Sequence, residues 1–388
     1  MKMFKAKQVG LFILAVLIAA TGFGLQAQQG SAQTRSFQVQ AGERLDVTTR
    51  GGDIQITPWA KNEVLVQAEG IDPENAQFLQ MNQAGGVVRV DYRPKGETSE
   101  RVRFLIHAPA RFHFELKTSG GDIATTGLVS GTLQGSTSGG DIKLVDVDGK
   151  TTLSTSGGDV TAGSVRGEAV LKTSGGDINI QAASGQVDVF TSGGDINVGS
   201  VGKTLRANTS GGDIVVGDVG GDATVSTSGG DIRVGRVSGT AKLNTSGGDI
   251  ELQGSSGPVD AKTSGGDLRL RGVTGSINAA TSGGDIQADL SPSGTGQSRI
   301  TTSGGDITLS LPENARASVD ARIELGDNWE RNNKKYDIRS DFKSETYVRD
   351  DKLEEIRATY KVNGGGEMIQ LETSGGNIQI RKAGTIPK

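Results

Sequence analysis

The pentapeptide Thr-Ser-Gly-Gly-Asp recurs through the middle of this chain at a nearly fixed interval, and that interval restricts the fold more than any other feature. Its aspartate falls at Asp122, Asp141, Asp159, Asp177, Asp195, Asp213, Asp231, Asp249, Asp267, Asp285 and Asp306. Successive spacings are 19, then 18 eight times, then 21 residues. A fixed period of roughly 20 residues marks a repeat architecture, in which each unit buries its apolar face only against its neighbours.

Within the unit 213–230, apolar residues stand one, three and six positions after the aspartate (Ile214, Val216, Val219) and again at ten and twelve (Ala223, Val225). The units beginning at Asp177 and Asp231 repeat the pattern. Spacing by two places alternate side chains on one face of a strand, and no run carries the three-and-four spacing of a helix. The chain therefore reads as all-β: a single-stranded parallel β-solenoid with about 18 residues and two strands per coil. Coils stack about 4.8 Å apart, so eleven of them span on the order of 50 Å. The Gly-Gly pair is expected to supply positive φ at the corner. The Thr and Ser columns are expected to hydrogen-bond one another there.

The first 27 residues read as a signal peptide. Lys2, Lys5 and Lys7 precede an apolar run at 9–20, which is shorter than the roughly 20 residues of a membrane span. Membrane attachment is expected only if this lead is retained. Removing the lead takes the formal charge from −4 to −7, with 38 basic residues against 45 acidic ones. A mildly acidic chain without basic clusters argues against nucleic acid. There is no cysteine, so disulfides, thiol chemistry and lipid attachment through cysteine are excluded.

Residues 36–116 read as an N-terminal capping β module. It holds a degenerate corner ending at Asp53, strands at 37–39, 45–47 and 64–66, and a loop or short helix at 71–83. Trp59 is expected to plug the open end. His107 and His113 read as plain strand residues rather than a metal pair. The regular array occupies 117–312. Residues 313–382 form a C-terminal irregular segment, with Trp329, Tyr336, Phe342 and Tyr347 in its charged part at 326–355. A closing coil at 368–380 then brings Asn377 to the corner position.

The order of these parts resembles a known family. An exported lead precedes a module ending in Asn62-Glu-Val-Leu-Val-Gln-Ala-Glu-Gly70. Then come the Thr-Ser-Gly-Gly-Asp-Ile coils, a closing Leu311-Pro312 and a last Ser374-Gly-Gly-Asn-Ile378 coil. This is similar to the bacterial "putative adhesin" family, domain of unknown function 4097, over residues 37–381. The resemblance implies a β-strand-repeat protein and carries over no catalytic residues.

In-register carboxylates about 4.8 Å apart repel by about 0.9 kcal/mol per pair in water, so something must offset the ladder. One reading is an Asx turn, each carboxylate accepting N–H groups of its own corner. The other is a Ca²⁺ ladder on Asp141, Asp159, Asp177, Asp195, Asp213, Asp231, Asp249, Asp267 and Asp285. The calcium roll motif places its aspartates at twice this density.

Uniform coils offer no cleft in which to gather acids and bases, and the chain holds no Gly-x-Ser-x-Gly elbow or Walker loop. It reads as non-enzymatic, with no cofactor and no catalytic residue. The leading expectation is an exported scaffold or adhesin-like module of the cell envelope, in the periplasm, at the surface or secreted. Its outward residues Lys143, Arg233, Glu251, Arg269 and Gln287 vary from coil to coil and would meet an envelope glycan or protein. The alternative is an envelope-stress sensory or regulatory module that binds a protein partner through 326–355.

Overall fold

The computed structural model describes residues 32–95, 101–292, 296–325, 335–350, 352 and 354–384. The expected signal peptide at 1–27 and Trp329 lie outside them. Every central coil gives one strand to each of two long sheets. Strand Ile214–Val216 pairs in parallel with Ile196–Val201 on one side and Ile232–Val237 on the other, isoleucine opposite isoleucine. Its companion Ala223–Ser226 lies likewise between Leu205–Asn208 and Ala241–Asn244. The spacing-by-two residues point inward: Ile214, Val216, Val219, Ala223 and Val225 are all buried. Each Val or Ile so placed contributes about 1.5–3 kcal/mol relative to exposure. The inward columns join into one core along the whole rod. The fold is thus the expected two-strand parallel β-solenoid.

The corner glycines work differently from the expectation. Among the corner glycines only Gly52 has positive φ. The second glycine of each pair is required by close approach of the coils. A Cβ on Gly158 would lie 2.2 Å from the Gly140 carbonyl oxygen, and one on Gly194 would lie 2.1 Å from that of Gly176. The first glycine has room: a Cβ on Gly157 would be 3.5 Å from its nearest neighbour.

The stacking order departs from the chain order at both ends. Near the N-terminus, strand Asp53–Trp59 sits between Arg103–Pro109 and Ile123–Thr125. In the other sheet, Arg44–Thr49 sits between Val87–Tyr92 and His113–Lys117. The first coil is therefore covered by the second. The C-terminal end mirrors this. Strand Glu367–Thr373 is flanked by Gln297–Thr302 and Ala317–Glu324, and Ile378–Lys382 by Ile307–Leu311 and Ile338–Ser340. The expected closing coil lies inside the stack. Antiparallel strands finish the ends: Gln33–Gln38 and Glu63–Glu69 in one sheet, and Glu355–Val362 and Ser344–Asp350 in the other.

Three local expectations change. In 71–83 a short 3-10 turn at Ala76–Phe78 gives way to strand Leu79–Ala84, because pairing with Val87–Tyr92 overrides weak β-propensity. Trp59 is half-exposed at a strand end rather than plugging the core. Its ring stands 5.1 Å from His107 and its indole N–H donates to the Glu63 carbonyl at 2.7 Å. The aromatics filling that end are Tyr92, Phe104, Phe112 and Phe114. Lastly, the described part of 326–355 forms strands Ile338–Ser340 and Ser344–Asp350 instead of an irregular loop.

Candidate functional site: a carboxylate ladder beside an apolar-floored groove

Stacking in register puts each corner aspartate directly over the next. The carboxylate then accepts the backbone N–H of the aspartate one coil on, and not one in its own corner. Asp159 N–H donates to Asp141 Oδ1 at 2.9 Å, Asp177 to Asp159, Asp195 to Asp177 and Asp213 to Asp195, each at 2.8 Å. The chain of bonds begins at Asp53, passes every repeat to Asp306, and ends through Asn377 on Asp337. The Asx-turn expectation is corrected accordingly: the offsetting bond runs between coils. The threonines behave likewise. Thr155 Oγ1 donates to the Gly140 carbonyl of the preceding coil at 2.9 Å and accepts the Gly158 N–H of its own corner at 3.3 Å. Stacked hydroxyls do not bond one another there.

The remaining carboxylate oxygens divide the ladder into zones. Lys143 pairs with Asp141 at 2.8 Å, Arg233 with Asp231 at 2.7 Å, and Arg269 with Asp267 at 2.8 Å and Asp249 at 3.3 Å. The Lys143 ammonium holds the Asp141 carboxyl below the usual carboxylate range, helped by the N–H of Asp159, and Lys143 itself is raised. Glu251 pairs with Arg271 at 2.8 Å, while Gln287 is exposed. Three of the five outward residues singled out by sequence, Lys143, Arg233 and Arg269, are therefore committed to neutralising aspartates, and a fourth, Glu251, is itself neutralised by Arg271. Asp159, Asp177 and Asp195 form no ion pair among the described residues. Of the aspartates considered for Ca²⁺, Asp213 has only a 3.9 Å contact with Arg233, and Asp285 is without an ion pair. No group of three or more His, Asp or Glu gathers as a metal site among the described residues.

Beside the unpaired stretch lies a feature the sequence reading missed. An 820 Å³ groove runs across the coils from Asp141 to Asp213, with Ala162, Ile180, Val198 and Val216 as its floor. Its rim next to the ladder is uncharged: Thr161, Asn179, Asn197 and Val215 hold the position that Lys143 and Arg233 occupy in the flanking coils. Gly163, Gly199 and Gly217 open it from the other side, and Gln181 reaches out between them. A Cβ at these three would meet the preceding coil's carbonyl oxygens at 1.8, 1.9 and 2.5 Å, so close stacking requires glycine there. Val145 and Val215 are 46% and 39% exposed. A second depression of 530 Å³ lies on overlapping coils, around Ser200, Asp218 and Arg236. The signal was available in the sequence, as a column that loses its charge over four successive coils.

The arrangement defines a class: a two-sheet parallel β-solenoid whose coils are tied along one corner by side-chain-to-backbone bonds. The family model Toastrack DUF4097 matches residues 43–220 and 200–381, and the chain belongs to that family. It is similar to the "putative adhesin" of Bacteroides fragilis at 11% identity, over 91% of this chain and 97% of that one, with a TM-score of 0.20. Likeness to the "putative adhesin" of Parabacteroides distasonis is 12% identity over 68% and 97%, TM-score 0.32. For the "putative cell adhesion protein" of Clostridium sporogenes the values are 9% identity over 91% and 99%, TM-score 0.17. No curated protein matches the chain. No helix among the described residues is long and apolar enough to cross a membrane.

Proposed function

We propose that this chain is an exported, non-enzymatic scaffold of the cell envelope that binds an extended, uncharged polymer, a glycan, along the groove. The observation that carries the reading is the groove itself. Five successive coils present an aliphatic floor beside a column of Thr161, Asn179 and Asn197, at the about 4.8 Å period of the stack. Such a surface offers apolar contact and amide and hydroxyl hydrogen bonds to a ligand that is itself linear. Amide side chains both donate and accept, as sugar hydroxyls require. Lys143 and Arg233 on either side are paired with aspartates, and the charge in the lining is the Asp146 carboxylate, so the groove does not favour an anionic polymer.

Co-sedimentation with cellulose, chitin and purified cell-wall sacculi tests this. The wild-type protein should pellet with at least one of the three. Asn179→Arg and Asn197→Arg should weaken that binding about tenfold, or about 1.4 kcal/mol. Arg206→Ala, on the opposite sheet, should leave it unchanged. Binding to none of the polymers, or equal binding by the groove variants, would sink the reading.

A second reading, a protein-binding module working through 326–355, is favoured by one observation. Strand Ser344–Asp350 has both faces exposed at the end of the rod.

A further inference from the structure

The groove beside Asp159, Asp177 and Asp195 is straight, and it has two ends. Parallel pairing without a register shift sets Lys143, Thr161, Asn179, Asn197, Val215 and Arg233 in one outward column. The same pairings line up Leu144, Ala162, Ile180, Val198 and Val216 in the floor beside it. Each column advances by about 4.8 Å per coil along the rod. Charge returns to the outward column at both limits, with Lys143 on Asp141 and Arg233 on Asp231. Between these limits lie four coils, those of Thr161, Asn179, Asn197 and Val215. The side-chain amides of Asn179, Gln181 and Asn197 make no hydrogen bond among the described residues. Beyond the groove the equivalent positions are engaged: Gln253, placed in its coil as Gln181 is, donates to Glu251 at 2.8 Å.

We infer that the occupant is a ribbon-like, 1,4-β-linked glycan lying along the rod with one sugar per coil, four to five sugars filling the site. The inference rests on the proposal that the groove binds a glycan, and it adds the linkage, the register and the length. A ligand that follows two straight columns must itself be straight and must advance by close to one coil per unit. Rings joined by equatorial bonds at both ends, as in a 1,4-β chain, form a flat ribbon whose advance per ring is close to the about 4.8 Å of the stack. Rings and coils therefore stay in step over a site this short. Chains linked 1,4-α or 1,3-β wind, which carries successive rings off the column. In the ribbon register the C–H face of each ring lies on one floor residue, and its edge hydroxyls meet Thr161, Asn179 or Asn197. An amide both donates and accepts, so each can serve a hydroxyl in either sense. The length follows from the ends. One ring further on, the outward column offers a Lys143 or Arg233 already held by its own aspartate, in place of an amide with donors and acceptor to spare.

Isothermal titration calorimetry with defined oligosaccharides tests this. The probes are 1,4-β-linked glucose and N-acetylglucosamine oligomers of two to six sugars, with 1,4-α- and 1,3-β-linked glucose oligomers of the same lengths. At least one 1,4-β series should bind, its hexamer about tenfold tighter than the hexamers of the other linkages. Affinity should climb to four or five sugars and then level off. Val215→Arg should bring that plateau one sugar shorter, because the new side chain can reach Asp213 as Arg233 reaches Asp231 and moves the charged limit inward by one coil. Val215 is exposed, and circular dichroism confirms that the variant is folded. Equal binding of the wound hexamers would overturn the inference, as would affinity still rising past five sugars or a plateau that Val215→Arg leaves in place. If Asn179→Arg still weakens binding in those cases, the groove remains a glycan site and only the ribbon register falls. Pelleting with a polymer while no oligomer binds also overturns the four-to-five-sugar site. Binding to neither polymers nor oligomers removes the glycan proposal itself.

Discussion

At Gly157 and Gly158 two neighbouring glycines have different jobs. A methyl group on Gly158 collides with the Gly140 carbonyl oxygen of the coil below, and the coils can yield only by losing hydrogen bonds. Gly158→Ala should cost about 3 kcal/mol or more. Gly157→Ala meets ordinary contact distances and should change stability by no more than about 0.5 kcal/mol. Urea unfolding of both variants checks this, and equal losses would contradict the steric account. The ladder gives a second residue-scale prediction. Asp195→Asn keeps the oxygen that accepts the Asp213 N–H and removes like-charge repulsion, so stability should hold or rise. Asn377 already fills this role at the end of the ladder, its side-chain oxygen accepting the Asp337 N–H at 3.2 Å. Asp195→Ala leaves the N–H without its partner and should cost about 1 kcal/mol. With each Oδ1 committed to the next coil, millimolar Ca²⁺ should leave the melting temperature unchanged against chelator. A rise would make the ladder a cation site. The corner positions, down to the degenerate Asp53 and Asn377, were legible in the sequence. The reason for the second glycine was not, since a glycine letter does not distinguish a positive φ from a close approach.

Beyond its backbone pairing with Glu355–Val362, strand Ser344–Asp350 is tied to the rod by a polar cluster at Asp337. The Tyr347 hydroxyl donates to Asp337 Oδ1 at 2.7 Å, and Arg349 bonds the same oxygen. Tyr347 is 43% exposed and its hydroxyl is partly desolvated. That desolvation, with the Asp337 carboxylate added, pushes the phenol up to about 12 from 10.0. A raised folded-state value means the stabilisation is complete below pH 10, where the unfolded phenol is still protonated, and is lost as pH rises through about 12. The difference in phenolate absorbance between wild type and Tyr347→Phe should therefore show one tyrosine titrating near 12. A midpoint near 10 would mean the bond to Asp337 does not hold in solution. The element was half legible: its aromatics and charge marked the segment, but a bulged, two-sided exposed strand has no clean alternation to read. Thr161, Asn179 and Asn197 are the reverse case, plainly strand positions whose importance lies in what they lack. Sequence reading favoured the charged residues around them, which the structure shows bound to aspartates.

For the whole molecule, the decisive property is that neither terminal coil is at an end. The coil at 367–382 is enclosed between the coil at 297–311 and the strands Ala317–Glu324 and Ile338–Ser340, and the first coil is enclosed likewise. A solenoid stacked in chain order frays from its last coil, because that coil has only one neighbour. Here fraying falls to the antiparallel strands that finish each end, and the terminal coils share the stability of the centre. The sequence could not show this. Every coil carries the same inward pattern, so hydrophobic periodicity says that a coil has neighbours without saying which. The rod, its period and its corner were readable; the order at its ends depends on pairings between segments about 70 residues apart, such as Ser298 with Glu367. Hydrogen–deuterium exchange read peptide by peptide tests this most directly. The amides of 367–382 should exchange as slowly as those of the central coils at 196–226, and much more slowly than 344–350. Exchange of 367–382 as fast as that edge strand would contradict an enclosed terminal coil and restore a simple sequential stack.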